Sequence, residues 1–288
     1  MDASVIASVL FWGLYVGCVY VLLAVGLNII FGVMRVVNFA HGEIMVVSAY
    51  TTYWLWRLFG LNPYLAIPAS MAVVALLGVA IERLCFHPIK GTSKLNEIFV
   101  SLGLITLLQN AMASLWTDDP KRIVSPYEAA AIPIGNFRMR VDYVIAVALT
   151  ATSLLALHLF LAKTHVGRGL RAASQNRRAA SFMGVDVDKM DMLSFAIGCS
   201  LAALAGSILG MAPFDPYSGS LPAIKAFAVV ILGGPGSISG AVVAGLLLGL
   251  AEGVGTYMLG GGWRDAVSFL ILTVVLVARP GGLRGEMG

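Results

Sequence analysis

Charge is what this sequence lacks. Lys, Arg, Asp and Glu make up 12% of its 288 residues, against roughly 25% in an ordinary soluble domain. The gaps between charges are long. None stands between Asp2 and Arg35, and further uncharged runs cover 58–81, 98–117, 143–162, 192–214 and 226–251. Each is near the length of about 20 apolar residues that a helix needs to cross a bilayer core of about 30 Å. The short alternating strands of a membrane β-barrel are missing. These absences predict an all-α, polytopic membrane protein with about 8–10 transmembrane helices in one domain over residues 1–288.

Other absences narrow the chemistry. The first basic residue is Arg35, so the N-terminus lacks the positive region of a cleavable signal peptide and is expected to stay as a helix. Only three cysteines occur, Cys18, Cys85 and Cys199, each in or beside an apolar segment, so they read as buried core residues rather than a disulfide or metal site. No zinc-protease pair of histidines, no G-x-S-x-G elbow and no phosphate loop ending in G-K-[ST] is present. The chain is therefore not expected to be an enzyme or to carry a metal or cofactor, and any ATP hydrolysis belongs to a separate chain. A nucleic-acid partner is not expected either. Ionisable residues are missing from the middles of the runs, which argues against ion coupling, although Glu43, Glu82 and Glu252 stand near run ends.

What is present begins with the basic residues. The stretch 163–190 carries Lys163, Arg168, Arg171, Arg177, Arg178 and Lys189 and belongs in the cytoplasm by the positive-inside rule. Counting outward puts Arg35, Arg83, Lys90, Lys94, Arg279 and Arg284 on the same side, with the N-terminus outside and the C-terminus inside. The segment 117–141 then falls outside despite Lys121, Arg122, Arg138 and Arg140. With Pro120, Pro126 and Pro133 it reads as a structured external loop.

Two apolar segments are interrupted. "FGVMRVVNFAHGE" (31–43) sets Arg35, Asn38, His41, Gly42 and Glu43 between a long apolar run and a short one. "ILGGPGSISGAVVAG" (231–245) sets Gly233, Gly234, Pro235, Gly236 and Gly240 inside an uncharged run. Glycine costs about 1 kcal/mol in a helix interior and proline about 3, so that run is not one helix. Each segment alone reads equally as a tight surface turn or as a break lining a path. Their occurrence in both halves of the chain favours the path. Small residues four apart, Gly13/Gly17, Gly206/Gly210 and Gly245/Gly249/Gly253, suit close helix packing.

Between Gly169 and Met183 good helix formers precede Gly184, which predicts one short amphipathic helix. It could lie on anionic lipid or dock into a partner's groove. Its apolar face is mostly alanine, which suits a protein groove better.

The stretches 26–50, 167–190, 225–252 and 278–283 resemble the H-type (LivH-type) permease subunit of bacterial branched-chain amino-acid ABC importers, over nearly the whole chain. That resemblance implies an ABC-importer permease fold in the inner membrane. Its implied partners are a second related permease, two cytoplasmic ATPase subunits and a periplasmic substrate-binding protein. It also implies that Gln175, Asn176, Ala179, Ala180, Met183 and Gly184 form a coupling helix against the ATPase. Asn38, His41, Gly42 and Glu43 match the family's N-terminal signature, and Gly233, Gly234, Gly236 and Gly240 its C-terminal glycine turn. Permeases for urea and short amides carry a very similar N-terminal stretch, so they stand as the alternative, beside a self-contained channel or ion-coupled carrier.

Overall fold

The computed structural model describes residues 3–134 and 137–278. Arg279, Arg284 and most of the 278–283 stretch lie outside the described residues. The elements in chain order are α1 (Ala3–Met34), α2 (His41–Phe59), α3 (Pro63–Ile81), α4 (Lys94–Trp116), the strands β1 (Ala131–Ile134) and β2 (Phe137–Arg140), α5 (Val141–Lys163), α6 (His165–Gln175), α7 (Arg177–Phe182), α8 (Val187–Leu209), α9 (Ser220–Gly233), α10 (Ile238–Leu259) and α11 (Arg264–Ala278).

A helix that is apolar all round must be buried on all sides or face lipid. Both outcomes occur here. The apolar window of α1 is 89% buried, whereas those of α4 and α5 are each 17% buried. α1 is thus the axis of the bundle, and α4 and α5 turn most of their surface outward. Among the described residues six helices are long and apolar enough to cross a membrane: α1, α3 with the turns that follow it, α4, α5, α8 and α10. These six stand against the about 8–10 expected, and α2, α9 and α11 pack beside them.

Glycines set the closest approaches. Gly13 and Gly17 of α1 face Gly245 and Gly249 of α10, so closely that a Cβ on Gly249 would lie 2.4 Å from the Gly17 Cα. Two of the three small-residue stripes read from the sequence are therefore one interface. Without a hydrophobic drive between helices in lipid, such backbone approach supplies the packing. The remaining stripe behaves alike: a Cβ on Gly206 of α8 would meet the Met45 carbonyl of α2 at 2.0 Å.

The departure from helix is small. Segment 117–140 folds as a loop ending in the β1–β2 hairpin, with Ala131 opposite Arg140 and Ile132 opposite Met139. Lys121 pairs with Phe214 through both backbone hydrogen bonds, 2.8 and 2.9 Å, which ties this loop to the connection after α8.

Candidate functional site

The two interruptions are real, and they are built differently. α1 ends at Met34, and Arg35 then takes a left-handed backbone conformation (φ 61°) that costs a non-glycine residue on the order of 1–2 kcal/mol. Lys94 Nζ donates to the Arg35 carbonyl at 2.6 Å and secures the turn. The chain next doubles back. His41, the first residue of α2, lies against Gly26, where a Cβ would sit 2.9 Å from His41 Nε2. Gly26 is eight residues before the end of α1, so the chain has returned by about 12 Å at 1.5 Å per residue. Segment 35–40 is thus a re-entrant turn whose Val36, Asn38 and Ala40 are buried.

Arg35 at its start is exposed, whereas Asn38 and, at the start of α2, His41 and Glu43 are each 0% exposed. Asn38 Oδ1 accepts from the Ala40 amide at 3.1 Å. Glu43 Oε1 accepts from Gln109 Nε2 at 3.1 Å and from Ser220 Oγ at 3.0 Å. Phe39 packs on Phe227 of α9, ring centroids 4.8 Å apart. Gly42 is wedged against α9's start, where a Cβ would come 2.1 Å from the Gly219 carbonyl oxygen. Both His41 ring nitrogens, Asn38 Nδ2 and Glu43 Oε2 have no hydrogen-bond partner among the described residues. The short helix expected between Glu43 and Arg57 is in fact 19 residues long, because Glu43 is buried within it rather than marking its end.

The second interruption is an open turn. Gly234 (φ 92°) and Gly236 (φ 83°) adopt backbone that glycine alone takes readily. Ser237 caps α10 by accepting from the Gly240 amide, while Gly233 and Gly240 close on each other. Asn28 of α1 clamps the turn with both ends of its amide: Nδ2 donates to the Ser237 carbonyl at 3.2 Å, and Oδ1 accepts from the Gly236 amide at 2.9 Å. A cavity of about 770 Å³ adjoins it, lined by Asn28, Gly236 and Ser237 together with His158 of α5 and Arg171 and Ser174 of α6. Non-helical backbone at membrane depth must be buried in protein or line a watery space. The first interruption is largely packed in protein, and the second borders a cavity.

The cytoplasmic helix expected from Gly169 to Met183 is two helices. The break falls at Asn176 (φ −152°, ψ 102°), whose side chain accepts from the Ala179 amide and so caps α7. Asparagine competes for backbone in this way and favours caps over helix interiors. α6 is strongly amphipathic, with Leu170 and Ala173 packed against Val33 and Met190. Of the coupling residues named from the sequence, Gln175, Asn176, Ala179, Met183 and Gly184 are exposed and Ala180 is buried. Phe182 and Met183 protrude, at 89% and 84% exposure. Gly184 (φ 82°) ends the element, as expected.

Arg177 ties α7 to the bundle. Its guanidinium meets Asp191 of α8 through two hydrogen bonds, 2.8 and 2.7 Å, and donates to the Val33 carbonyl at 2.7 Å. Lys90 Nζ reaches Asp191 and Asp188 at 2.6 Å each. Asp186, the N-cap of α8, hydrogen-bonds Lys189, which holds its carboxyl below the usual range. α7, the end of α1 and the start of α8 are therefore joined through the Arg177 guanidinium.

A further cluster lay hidden in the sequence. Lys225 and Glu252 flank an uncharged run, yet both are enclosed, at 3% and 0% exposure. The α9–α10 hairpin folds that run back on itself and pairs its ends at 2.5 Å. Glu252 also accepts from Tyr20 Oη at 2.8 Å, Arg264 Nε at 3.0 Å and Ser268 Oγ. Lys225 bridges on to Asp265 at 2.7 Å. Charges at the ends of an uncharged run read as its boundaries, and only the hairpin reveals them as partners. Among the described residues no group of three or more His, Cys, Asp or Glu side chains is placed to hold a metal ion.

Comparison with known proteins agrees with this architecture. Residues 9–276 match the family described as the branched-chain amino acid transport system permease component. The chain is 33% identical over 289 residues to the high-affinity branched-chain amino acid transport system permease protein BraD of Pseudomonas aeruginosa, covering 95% of this chain and 94% of that one. It is 30% identical to the corresponding permease protein LivH of Escherichia coli K12, covering 96% and 94%. A solved structure of PsaBC from Streptococcus pneumoniae in complex with Fab shares the fold, with a TM-score of 0.51 at 14% identity over 92% of this chain and 90% of that one. The chain belongs to the branched-chain amino-acid transport permease family and is a multi-pass permease component of the ATP-binding-cassette type.

Proposed function

We propose that this permease pairs with a second, related permease to form the inner-membrane pathway for leucine, isoleucine, valine and similar amino acids. The amino acid arrives on a periplasmic binding protein and two cytoplasmic ATPase subunits drive its passage. The branched-chain amino acids carried by the related transport systems support the solute class. The N-terminus lies outside, which puts α6–α7 in the cytoplasm and segment 117–141 on the external face.

One observation carries the mechanism: α7 exposes Phe182 and Met183 to a partner while Arg177 fixes its base to Asp191 and to the end of α1. A push on α7 is transmitted to α1 and α8 as a unit, because charge-paired and hydrogen-bonded groups at its base leave little slack. The same movement reshapes the cavity beside the glycine turn, whose walls α1 and α6 share. Residues 233–240 then line the inner part of the path, and 38–43 form the buried pivot beside it. Low-affinity passage fits a wall that is mostly apolar with few polar groups.

Ala179→Glu tests the docking role, since Ala179 is exposed whereas Ala180 is packed. The variant is expected to insert in the membrane normally, to lose co-purifying ATPase subunits and to lose ATP-driven leucine uptake in proteoliposomes. Full ATPase recovery with undiminished uptake would contradict the assignment. Uptake by this chain alone, without ATPases, would favour a self-contained carrier instead.

A further inference from the structure

A second cavity, of about 230 Å³, opens at the end of the bundle opposite α6–α7. Trp12 and Tyr15 of α1 form one wall, and Trp12 is 22 residues, or about 33 Å of helix, from Met34. Arg140 and Tyr143 at the start of α5, with Met211 and Pro213 after α8, form the others. The volume is below the about 300–1,000 Å³ usual for drug-sized ligands, which limits an occupant to one small molecule.

The lining mixes both signs of charge with aromatic and thioether surface. Arg140 holds Asp142 through Nη2 at 3.1 Å and lies over the Tyr143 ring, 5.3 Å from its centroid. Its Nε is buried with no hydrogen-bond partner among the described residues, an unmade bond that costs about 1–3 kcal/mol or more for a charged group. Asp142 is fixed from behind by Tyr64 Oη at 2.7 Å and Ser125 Oγ at 2.5 Å. Arg122 completes the rim, donating to the Met211 carbonyl at 2.9 Å and pairing with Glu128. With Arg140 and Arg122 balanced by Asp142 and Glu128, the site suits a zwitterion better than a net anion or cation.

We propose that this cavity is a receiving site for one free α-amino acid: Arg140 holds the carboxylate, Asp142 faces the ammonium, and the apolar side chain rests on Trp12 and Met211. The inference rests on the transport reading above, which places this end of the bundle where substrate arrives. The planar guanidinium presents paired donors that match a carboxylate, and the unpartnered Nε gains the acceptor it lacks. Segment 117–140 and its hairpin serve this site by carrying Arg122 and Arg140 to the mouth of the bundle.

The test uses the assembled transporter in nanodiscs without its binding protein, titrated with L-leucine while Trp fluorescence is read. Trp12→Phe identifies the responding ring. Expected is a saturable Trp12 response to L-leucine, weakened at least tenfold in Arg140→Gln and absent with L-leucinamide, which has no carboxylate. Ala212→Leu, which fills the cavity without touching a charge, should abolish the response in a protein that still assembles. The proposal is overturned if wild type gives no saturable response, or if Arg140→Gln responds like wild type. It is also overturned if Arg140→Gln leaves the leucine response intact and instead weakens binding-protein association, because an acidic side chain of that protein would then be the occupant. ATP-driven leucine uptake by the wild-type complex is measured in parallel: its absence defeats the transport reading, whereas intact uptake without a leucine response defeats the receiving site alone.

Discussion

The two interrupted segments solve one problem in opposite ways. Turn 35–40 is largely packed in protein beyond Arg35, is held by close backbone packing of Gly42 on Gly219, and leaves His41 and parts of Asn38 and Glu43 without partners among the described residues. Turn 234–237 is open, built from left-handed glycines and satisfied by Asn28 and Ser237, and it faces a cavity. In the function proposed above, the first is the pivot and the second a wall of the path. In a low-dielectric interior an unpaired polar group is expensive, so the pivot's unpaired atoms are where a second arrangement of the helices would gain most.

Perturbing the pivot's packing should have the largest effect. Gly42→Ala places a Cβ 2.1 Å from a backbone oxygen, and overpacking of this kind costs about 1–3 kcal/mol or more. We expect loss of monodisperse protein on size-exclusion chromatography, with any survivor melting well below wild type. Gly236→Ala, at a left-handed position with nothing within 4 Å, should cost only about 1–2 kcal/mol and remain folded. Equal damage from the two would erase the distinction.

Next in size is the linkage to α7. Arg177→Ala leaves the buried Asp191 with Lys90 as its charged partner, near the lower end of the about 3–5 kcal/mol seen when a buried pair is broken, because Arg177 is partly exposed. The transporter should still hydrolyse ATP while leucine uptake falls by at least tenfold. Uptake and hydrolysis falling together would mean that Arg177 serves assembly rather than transmission.

Smaller again is Asn28→Ala, which removes two hydrogen bonds from the glycine turn, about 0.5–1.5 kcal/mol each. Folding should survive, and uptake should drop severalfold. His41→Leu is expected to leave thermal stability unchanged or slightly raised, since no partner is lost, while slowing transport by removing a polar atom that another state uses. A strongly destabilised His41→Leu would show that the ring is bonded at rest.

Much of this was legible in the sequence. Long uncharged runs located α1, α3, α4, α5, α8 and α10, and glycine and proline located both interruptions. What stayed hidden had a common cause: charge in a membrane sequence reads as a boundary. Glu43 sits in the first turn of α2 with Gln109 and Ser220 as partners, which only tertiary packing supplies. Lys225 and Glu252 are separated by 26 uncharged residues (226–251) and meet only because α9 and α10 form a hairpin. Asn176 divides an expected single helix, a cap signal that good helix formers on both sides outweigh. The Arg140–Asp142 constellation reads as a loop, since its partners Tyr15, Tyr64 and Met211 come from three distant elements.

Cysteine accessibility tests the contrast between the two turns most directly. In a background with Cys18, Cys85 and Cys199 replaced, single cysteines at His41 and at Ser239, which lines the cavity, are exposed to a membrane-impermeant thiol reagent in inside-out vesicles. Ser239→Cys should label rapidly and His41→Cys at least tenfold more slowly in the resting transporter. Labelling of His41→Cys as fast as Ser239→Cys would place the first turn on the path and contradict the account.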